Sequence, residues 1–175
     1  MTKFFADVVE KKLARAKASR NDINVSSRSD LRKKSFSKAD YEQLAAWRYS
    51  LRRFLRFSEE AATQAGLTPQ QHQALLAVQG MPGREEATVG ELAERLQLKH
   101  HSTVELVNRL ENAGLLKRSV GTEDARQVLL KVTPKGLRLL EKLTAAHRAE
   151  LKRVGPELAA VLSEVVASAS ESETE

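Results

Sequence analysis

Residues 88–136 decide the fold, and they read TVGELAERLQLKHHSTVELVNRLENAGLLKRSVGTEDARQVLLKVTPKG. The stretch opens on Thr88 and Glu91, spaced as a capping box in which the hydroxyl and the carboxylate accept hydrogen bonds from unpaired N–H groups at a helix start. A short helix is predicted there, then a break at 97–99 and a second helix that ends at Gly114, where a left-handed residue is favoured. Two apolar runs flank the polar residues 121–126 and predict a hairpin. This order predicts a mainly α fold with a small β-wing, the winged helix-turn-helix.

The charge and polarity of this block favour binding to double-stranded DNA. Residues 95–138 contain nine Lys or Arg and four Asp or Glu, a net charge of +5. Such an excess suits the neutralisation of phosphates with release of counterions. The outward face of the second helix carries side chains that donate to or accept from base edges in a major groove. They are His101, Ser102, Glu105, Asn108, Arg109 and Asn112.

At the tip of the hairpin, Asp124 lies two residues before Arg126 and is expected to hold that guanidinium outstretched. A long cation on a loop suits a narrow minor groove, whose negative potential attracts arginine. The full set of predicted DNA-contacting residues is Lys99, His100, His101, Ser102, Thr103, Glu105, Asn108, Arg109, Lys117, Arg118, Asp124 and Arg126. The competing interpretation is an ordinary solvated helix and hairpin, because charged residues at turns are common.

Five segments, in this order, resemble the MarR family of bacterial winged-helix regulators. They are LTPQQHQALLAV (67–78), TVGELAERLQL (88–98), HHSTVELVNRLENAGLL (100–116), the Asp124-x-Arg126 wing motif and LLKVTPKG (129–136). The resemblance covers roughly residues 40 to 165. It implies a homodimer that binds pseudo-palindromic operator DNA, usually as a repressor that a small ligand or an oxidant releases. Many relatives carry a basic residue near the position of Glu105, so no operator sequence can be transferred.

The same resemblance implies a pocket for small aromatic acids between the dimerisation helices and the winged domain. Aromatic walls with an arginine suit an organic anion. The candidate lining residues are Trp47, Arg48, Arg52, Phe54 and His72. In the competing interpretation the tryptophan belongs to the core and the arginines form a solvated face.

Two long helical segments flank the predicted winged domain (67–136). The first, residues 39–66, has apolar side chains near heptad spacing; the second, residues 137–167, is predicted as two helices separated by Gly155 and Pro156. Apolar stripes of this length have no matching partner within the chain, so we predict that they form a two-fold dimer interface. The alternative is a monomer that folds these helices back on its own core.

Threonine followed by proline marks two further helix starts. Thr68 before Pro69, and Thr133 before Pro134, combine an N-cap hydroxyl with a proline at the first helical position. One predicted helix begins at residue 69 and the next begins after Thr88. Residues 84–87, which lead into the second of these helices, are predicted to form a polar loop.

The basic charge of the whole chain comes from its N-terminal extension. Residues 1–38 contain eleven Lys or Arg and four Asp or Glu, a net charge of +7. Since the whole chain has a net charge of +6, residues 39–175 have a net charge of −1. Residues 1–20 have the apolar spacing of an amphipathic helix, whereas 19–38 are polar and aperiodic. A helix docked on the partner subunit, a basic arm on DNA, a membrane-surface segment and a leader all remain open. Residues 168–175 are predicted to be a disordered acidic tail.

Several other classes of function find no support in the sequence. With no Cys, neither a disulfide framework nor thiol redox sensing is available. The histidines lack metal-ligand spacing, and the adjacent pair His100 and His101 points about 100° apart on a helix, so no metal or cofactor is predicted. No nucleophile elbow or phosphate-binding glycine loop occurs, so an enzyme is not expected. No apolar run spans a bilayer, and a cytoplasmic protein is expected. A winged-helix module that assembles proteins without reading operators remains the alternative function.

Overall fold

The computed structural model describes residues 36–120 and 128–171, and it confirms a mainly α fold with a small antiparallel sheet. The elements, in chain order, are α1 (Lys38–Gln64), α2 (Pro69–Gln79), β1 (Glu86–Thr88), α3 (Val89–Leu96), α4 (His100–Asn112), β2 (Leu116–Val120), β3 (Val128–Val132) and α5 (Pro134–Glu171). The predictions for residues 1–35 and for the wing tip lie outside the described residues.

Helix α1 begins at Lys38, one residue before the predicted segment 39–66, because Ser37 caps it. The Ser37 N–H donates to a carboxylate oxygen of Asp40 at 2.7 Å, and the Asp40 N–H donates to the Ser37 hydroxyl at 3.3 Å. Phe36 and Tyr41, on either side of this cap, pack edge to face with centroids 6.3 Å apart. A reciprocal cap with an apolar pair around it is a hydrophobic staple, which fixes the direction of the chain into the helix.

Predicted caps start the helices of the winged domain. The Thr68 N–H donates to the Gln71 side chain at 2.9 Å, and the Gln71 N–H donates back to the Thr68 hydroxyl at 3.2 Å, which confirms this helix start. The Thr88 N–H likewise donates to the Glu91 carboxylate at 2.8 Å. Burial alone would raise the pKa of Glu91, but hydrogen bonds from Thr88 and Arg84 outweigh it and lower that pKa below its usual value. The carboxylate is therefore ionised when it caps α3.

Left-handed residues end the helices of the helix-turn-helix. Gln97, with φ of 55°, terminates α3 and turns the chain towards α4, as the predicted break requires. Gly114, with φ of 67°, follows α4 and allows β2 to begin two residues later. A side chain at φ near +60° is strained, which explains why glycine occupies this turn.

The three strands form one antiparallel sheet in the order β1-β3-β2. Leu116 pairs with Val132 at the start of the hairpin, and Val120 pairs with Val128 nearest its tip. Strand β1 pairs Ala87 with Leu130. The prediction of a polar loop over 84–87 is therefore wrong in its second half, because Ala87 is fully buried against the core and its neighbours pair with β3.

One hydrophobic core joins α2, α3, α4, the sheet and the start of α5. Its members are buried Leu, Val, Ala and Met side chains, among them Leu75, Val78, Ala87, Leu92, Leu106, Val107, Leu110, Leu116, Leu130, Leu140 and Leu143. Because α4 buries one face in this core, its opposite face is held outwards in a fixed orientation.

Helix α5 runs without interruption from Pro134 to Glu171, so the predicted break at Gly155 is wrong. Pro156 lies inside the helix, and because proline has no N–H group one backbone hydrogen bond of the helix is missing. The ring of a proline disfavours helical geometry at the preceding residue chiefly through contact with its N–H and Cβ. Gly155 has no Cβ, which eases that contact and lets the helix continue. The helix also includes residues 168–171, which were predicted to be disordered.

Candidate nucleic-acid interface

Helix α4 presents a polar face that packing leaves exposed. Leu106, Val107 and Leu110 are at most 1% exposed and anchor the helix to the core. On the other side, Ser102 is half-buried and the remaining predicted contact residues are exposed, namely Lys99, His100, His101, Glu105, Asn108 and Arg109. The structure therefore brings most of the predicted contact residues of the helix together on one accessible surface.

Thr103 does not belong to this surface, so its prediction as a DNA contact is corrected. Its side chain is fully buried, and its hydroxyl donates to the Lys99 carbonyl at 3.2 Å. Position 103 precedes Leu106 by three residues and Val107 by four, which places it on the buried face of the helix. A helical wheel centred on these leucine and valine positions would have identified it.

The N-terminus of α4 has no side-chain cap from its own N-cap residue. Lys99 takes an extended conformation there and makes no capping hydrogen bond. Unpaired N–H groups and the helix dipole at such an end favour an anion such as a phosphate. Lys99, His100 and His101 surround this end as exposed side chains.

Strand β2 is tied to α4 by a network of three side chains, Asn108, Glu111 and Arg118, called here the Arg118 network. Arg118 donates one N–H to the Asn108 side-chain oxygen at 2.7 Å and another to the Glu111 carboxylate. The side chains of Arg118 and Glu111 are 30% and 38% exposed. Sequence reasoning took Arg118 and Asn108 as separate DNA contacts and did not identify this link.

The wing beyond this network is described only along its strands. Lys117 is exposed on β2, and Arg118 is half-buried next to it. The predicted contacts Asp124 and Arg126 lie outside the described residues.

The predicted ligand-pocket residues do not come together. Arg48 and Arg52 are exposed on α1, Trp47 is half-buried, and His72 is buried on α2. Of the predicted set only Phe54 lines the groove of about 310 Å³ that lies between α1 and α5. Arg53, one position after Arg52, lines this groove, whereas Arg52 does not. The groove is lined by Ser50, Arg53, Phe54, Arg56, Phe57, Glu60, Glu150, Arg153, Val154, Glu157 and Leu158.

Each arginine of this groove has a carboxylate partner. Arg56 pairs with Glu60 at 2.9 Å, Arg153 with Glu150 at 2.6 Å, and Arg53 with Glu157 at 3.7 Å. The hydrogen bond from Arg153 lowers the pKa of Glu150 from its usual value, so this carboxylate remains charged. The three pairs cancel in charge, and the apolar part of the groove is formed by Phe54, Phe57, Val154 and Leu158.

A cluster of rings that sequence reasoning missed joins α1, α2 and α5. The rings of His72 and His147 lie 4.9 Å apart, and Phe57 packs edge to face on His147 at 5.6 Å. His147 Nδ1 donates to the Leu143 carbonyl at 2.6 Å, so in the neutral ring Nε2 accepts from the Ser58 hydroxyl at 2.8 Å. Burial, followed by the nearby His147, lowers the pKa of His72. The cluster couples the two long helices to the winged domain.

Comparison with known proteins agrees with this architecture. The sequence profile of the MarR family matches residues 65–127, from the end of α1 into the wing. The structure also matches that of AbsC, a MarR family transcriptional regulator from Streptomyces coelicolor, with a TM-score of 0.61. Over residues 65–127 the chain is similar to the MarR family. The AbsC match covers 72% of this chain and 84% of AbsC at 20% identity, and it shows the shared fold.

Two curated relatives of this chain are named for regulation. A protein of Thauera aromatica named for transcriptional regulation of the hcr operon is 30% identical over 93 residues, which is 53% of this chain and 54% of the relative. The transcriptional repressor MdtR of Bacillus subtilis is 29% identical over 94 residues, covering 54% of this chain and 59% of MdtR. The match thus spans little more than half of each relative. Both names are those of regulators and not of enzymes.

Two other kinds of feature are absent from the residues that the structure describes. Within residues 36–120 and 128–171, no group of three or more potential metal-ligating side chains occurs. No helix of this described portion is long and apolar enough to cross a membrane.

Proposed function

We propose that this protein is a homodimeric transcriptional regulator of the MarR type that binds operator DNA and acts as a repressor. The observation that carries the proposal is the exposed polar face of α4. The opposite face of the helix is buried in the core, and the positively charged residues Lys117 and Arg118 lie beside it where the wing begins. A helix of 13 residues is long enough to lie in a major groove while its first turn approaches the phosphates. The repressor name of MdtR supports the direction of regulation.

The homodimer is supported by apolar side chains that the single chain leaves uncovered. Leu44, Leu51 and Leu55 of α1 are 50%, 37% and 45% exposed, and Leu151 and Leu162 of α5 are 44% and 42% exposed. A two-fold axis would allow the same surfaces of two chains to cover each other. It would also place two copies of α4 on one face for two half-sites of DNA.

The groove between α1 and α5 is the proposed site for a small aromatic acid. The rings of Phe54 and Phe57 offer apolar contact, and three arginines offer bidentate partners for a carboxylate. Because Arg153 is already held by Glu150, an anionic ligand must replace that carboxylate. Such a replacement would shift α5 relative to α1 and thereby change the spacing of the two α4 helices.

Selection of bound DNA from a random pool tests operator binding. We expect enrichment of a pseudo-palindrome whose half-sites are about 10–10.5 base pairs apart, or a multiple of that distance, since each α4 would enter one major groove. Binding should weaken steeply as salt rises. If no sequence is enriched above non-specific binding, operator recognition is rejected and the protein-interaction alternative is favoured.

Repeating the binding assay with simple aromatic acids, such as benzoate and salicylate, tests the groove. Arg153→Gln should reduce the ligand-induced loss of DNA affinity because it removes a bidentate partner within the groove. Arg52→Gln is the matched control, since it removes the same charge from α1 at an exposed position that does not line the groove. An equal effect of both variants would reject this groove as the ligand site.

A further inference from the structure

The Arg118 network lies where the wing meets the exposed face of α4. Asn108 and Glu111 are three residues apart and so lie on neighbouring positions of that helix. Arg118 reaches both of them from β2, donating to the Asn108 oxygen at 2.7 Å and to the Glu111 carboxylate. The side chain of Arg118 is 30% exposed. Its guanidinium is therefore directed at α4 rather than outwards, although sequence alone would count it as a phosphate contact.

The chemistry of arginine fixes how the Asn108 amide is turned. A guanidinium has five N–H donors and no acceptor, so the atom of Asn108 that faces Arg118 must be the amide oxygen. The amide NH₂ group, with two donors, is then the part of this exposed side chain left for another partner. Asn108 consequently offers donors to a base edge, while its oxygen is engaged by Arg118.

This orientation discriminates between purines. An unrestrained asparagine contacts adenine through both amide atoms, accepting from N6 and donating to N7, whereas guanine presents two acceptors, N7 and O6. With the oxygen of Asn108 held by Arg118, the NH₂ group matches the acceptors of guanine better than the mixed pattern of adenine.

We propose that Arg118 is a positioning residue that sets base preference through Asn108, favouring guanine over adenine at one base pair in each half-site. The proposal rests on the proposed operator binding. Glu111 completes the arrangement by holding the second N–H of the guanidinium, which keeps Arg118 directed at α4.

The proposal is tested by measuring DNA affinity over a range of salt concentrations. The DNAs are the selected operator and copies of it that carry guanine or adenine at each position in turn. Asn108→Ala should identify the base pair concerned by abolishing the preference there. Arg118→Met, which keeps the apolar stem and removes the donors, should lower the guanine-to-adenine affinity ratio at that position by about tenfold. The slope of log affinity against log salt should stay unchanged, because no phosphate contact is removed.

Lys117→Met is the matched control, since it removes one positive charge from the adjacent position of β2, where the side chain is exposed. It should leave the purine ratio unchanged. If Arg118→Met instead reduces the salt slope by about one ion and preserves the ratio, Arg118 is a phosphate contact and the proposal is wrong. If the parent selects an operator but Asn108→Ala alters no base preference, the proposal also fails while the proposed function stands. Failure of the parent to select any DNA rejects the function itself.

Asn108→Asp provides a second test that does not remove Arg118 from the fold. Position 108 is exposed, so the variant should fold, which circular dichroism can verify. Its carboxylate can accept from Arg118 and offers the groove an acceptor in place of the NH₂ donors. We expect the preference at that position to shift from guanine towards cytosine, whose amino group donates in the major groove. Retention of the guanine preference would overturn the proposal.

Discussion

Replacing Leu55 with Glu should dissociate the proposed dimer. Leu55 is 45% exposed in the single chain. Since complete burial of a leucine stabilises by about 1.5–3 kcal/mol, covering this exposed part contributes about 0.7–1.4 kcal/mol per subunit and about twice that in a symmetric dimer. Loss of the apolar contact alone should therefore raise the dimer dissociation constant by about 10- to 100-fold. A carboxylate in a dry interface adds a further cost.

Sedimentation equilibrium over a range of protein concentrations measures this effect. Leu76→Glu is the matched control, because Leu76 is 48% exposed on α2, outside the two long helices. We expect the Leu55 variant to become monomeric at concentrations where the control and the parent remain dimers. Equal dissociation constants for all three proteins would refute the assignment of this face of α1 to the interface.

Two further predictions concern stability. The pKa of His72 is lowered in the folded chain by burial and then by His147, so below about pH 6.5 the unfolded chain binds more protons and stability falls as pH decreases. When the pH is lowered from 7.5 to 5.5, the melting temperature of His72→Phe should fall by less than that of the parent. An equal fall in both proteins would show that His72 does not contribute to the pH dependence of stability. A Cβ at Gly136 would overlap the Leu115 carbonyl oxygen, so Gly136→Ala should lower the unfolding free energy by about 1–3 kcal/mol. Gly90→Ala, where the nearest atom is 3.9 Å away, serves as the control in urea unfolding and should not be destabilised.

Features encoded by neighbouring residues could be predicted from the sequence. The capping boxes at Thr68 and Thr88 depend on side chains only three residues apart, and each hydrogen bond was found where it was expected. Gly114 could be assigned because a left-handed turn after a helix needs no information from distant parts of the chain. The helix-turn-helix and its hairpin were identified for the same reason.

Features that depend on contacts between distant residues were predicted less well. The groove residues Arg53 and Arg153 are 100 positions apart, and the periodicity of α1 alone gave no indication which arginines would face α5. The contact of His72 with His147 joins α2 to α5 and has no local signature. Pro156 was misassigned for a different reason, since the effect of a proline depends on whether its neighbour can stay helical.

The net charge of the candidate nucleic-acid interface also depends on contacts between distant residues that the sequence does not reveal. The net charge of residues 95–138 treats every cation as available to phosphate, whereas the fold engages several of them. Arg118 is bound to Glu111, Lys135 donates to the Ala113 carbonyl at 2.8 Å, and Lys131 lies 3.8 Å from a carboxylate oxygen of Glu86.

These engaged cations contribute to the electrostatic potential of the surface but release few counterions by direct phosphate contact. The salt dependence of DNA binding should therefore correspond to fewer phosphate contacts than the number of basic residues suggests. In this fold part of the basic charge holds the wing and α5 against α4, so that the exposed side chains of α4 keep the fixed orientation that the proposed base recognition requires.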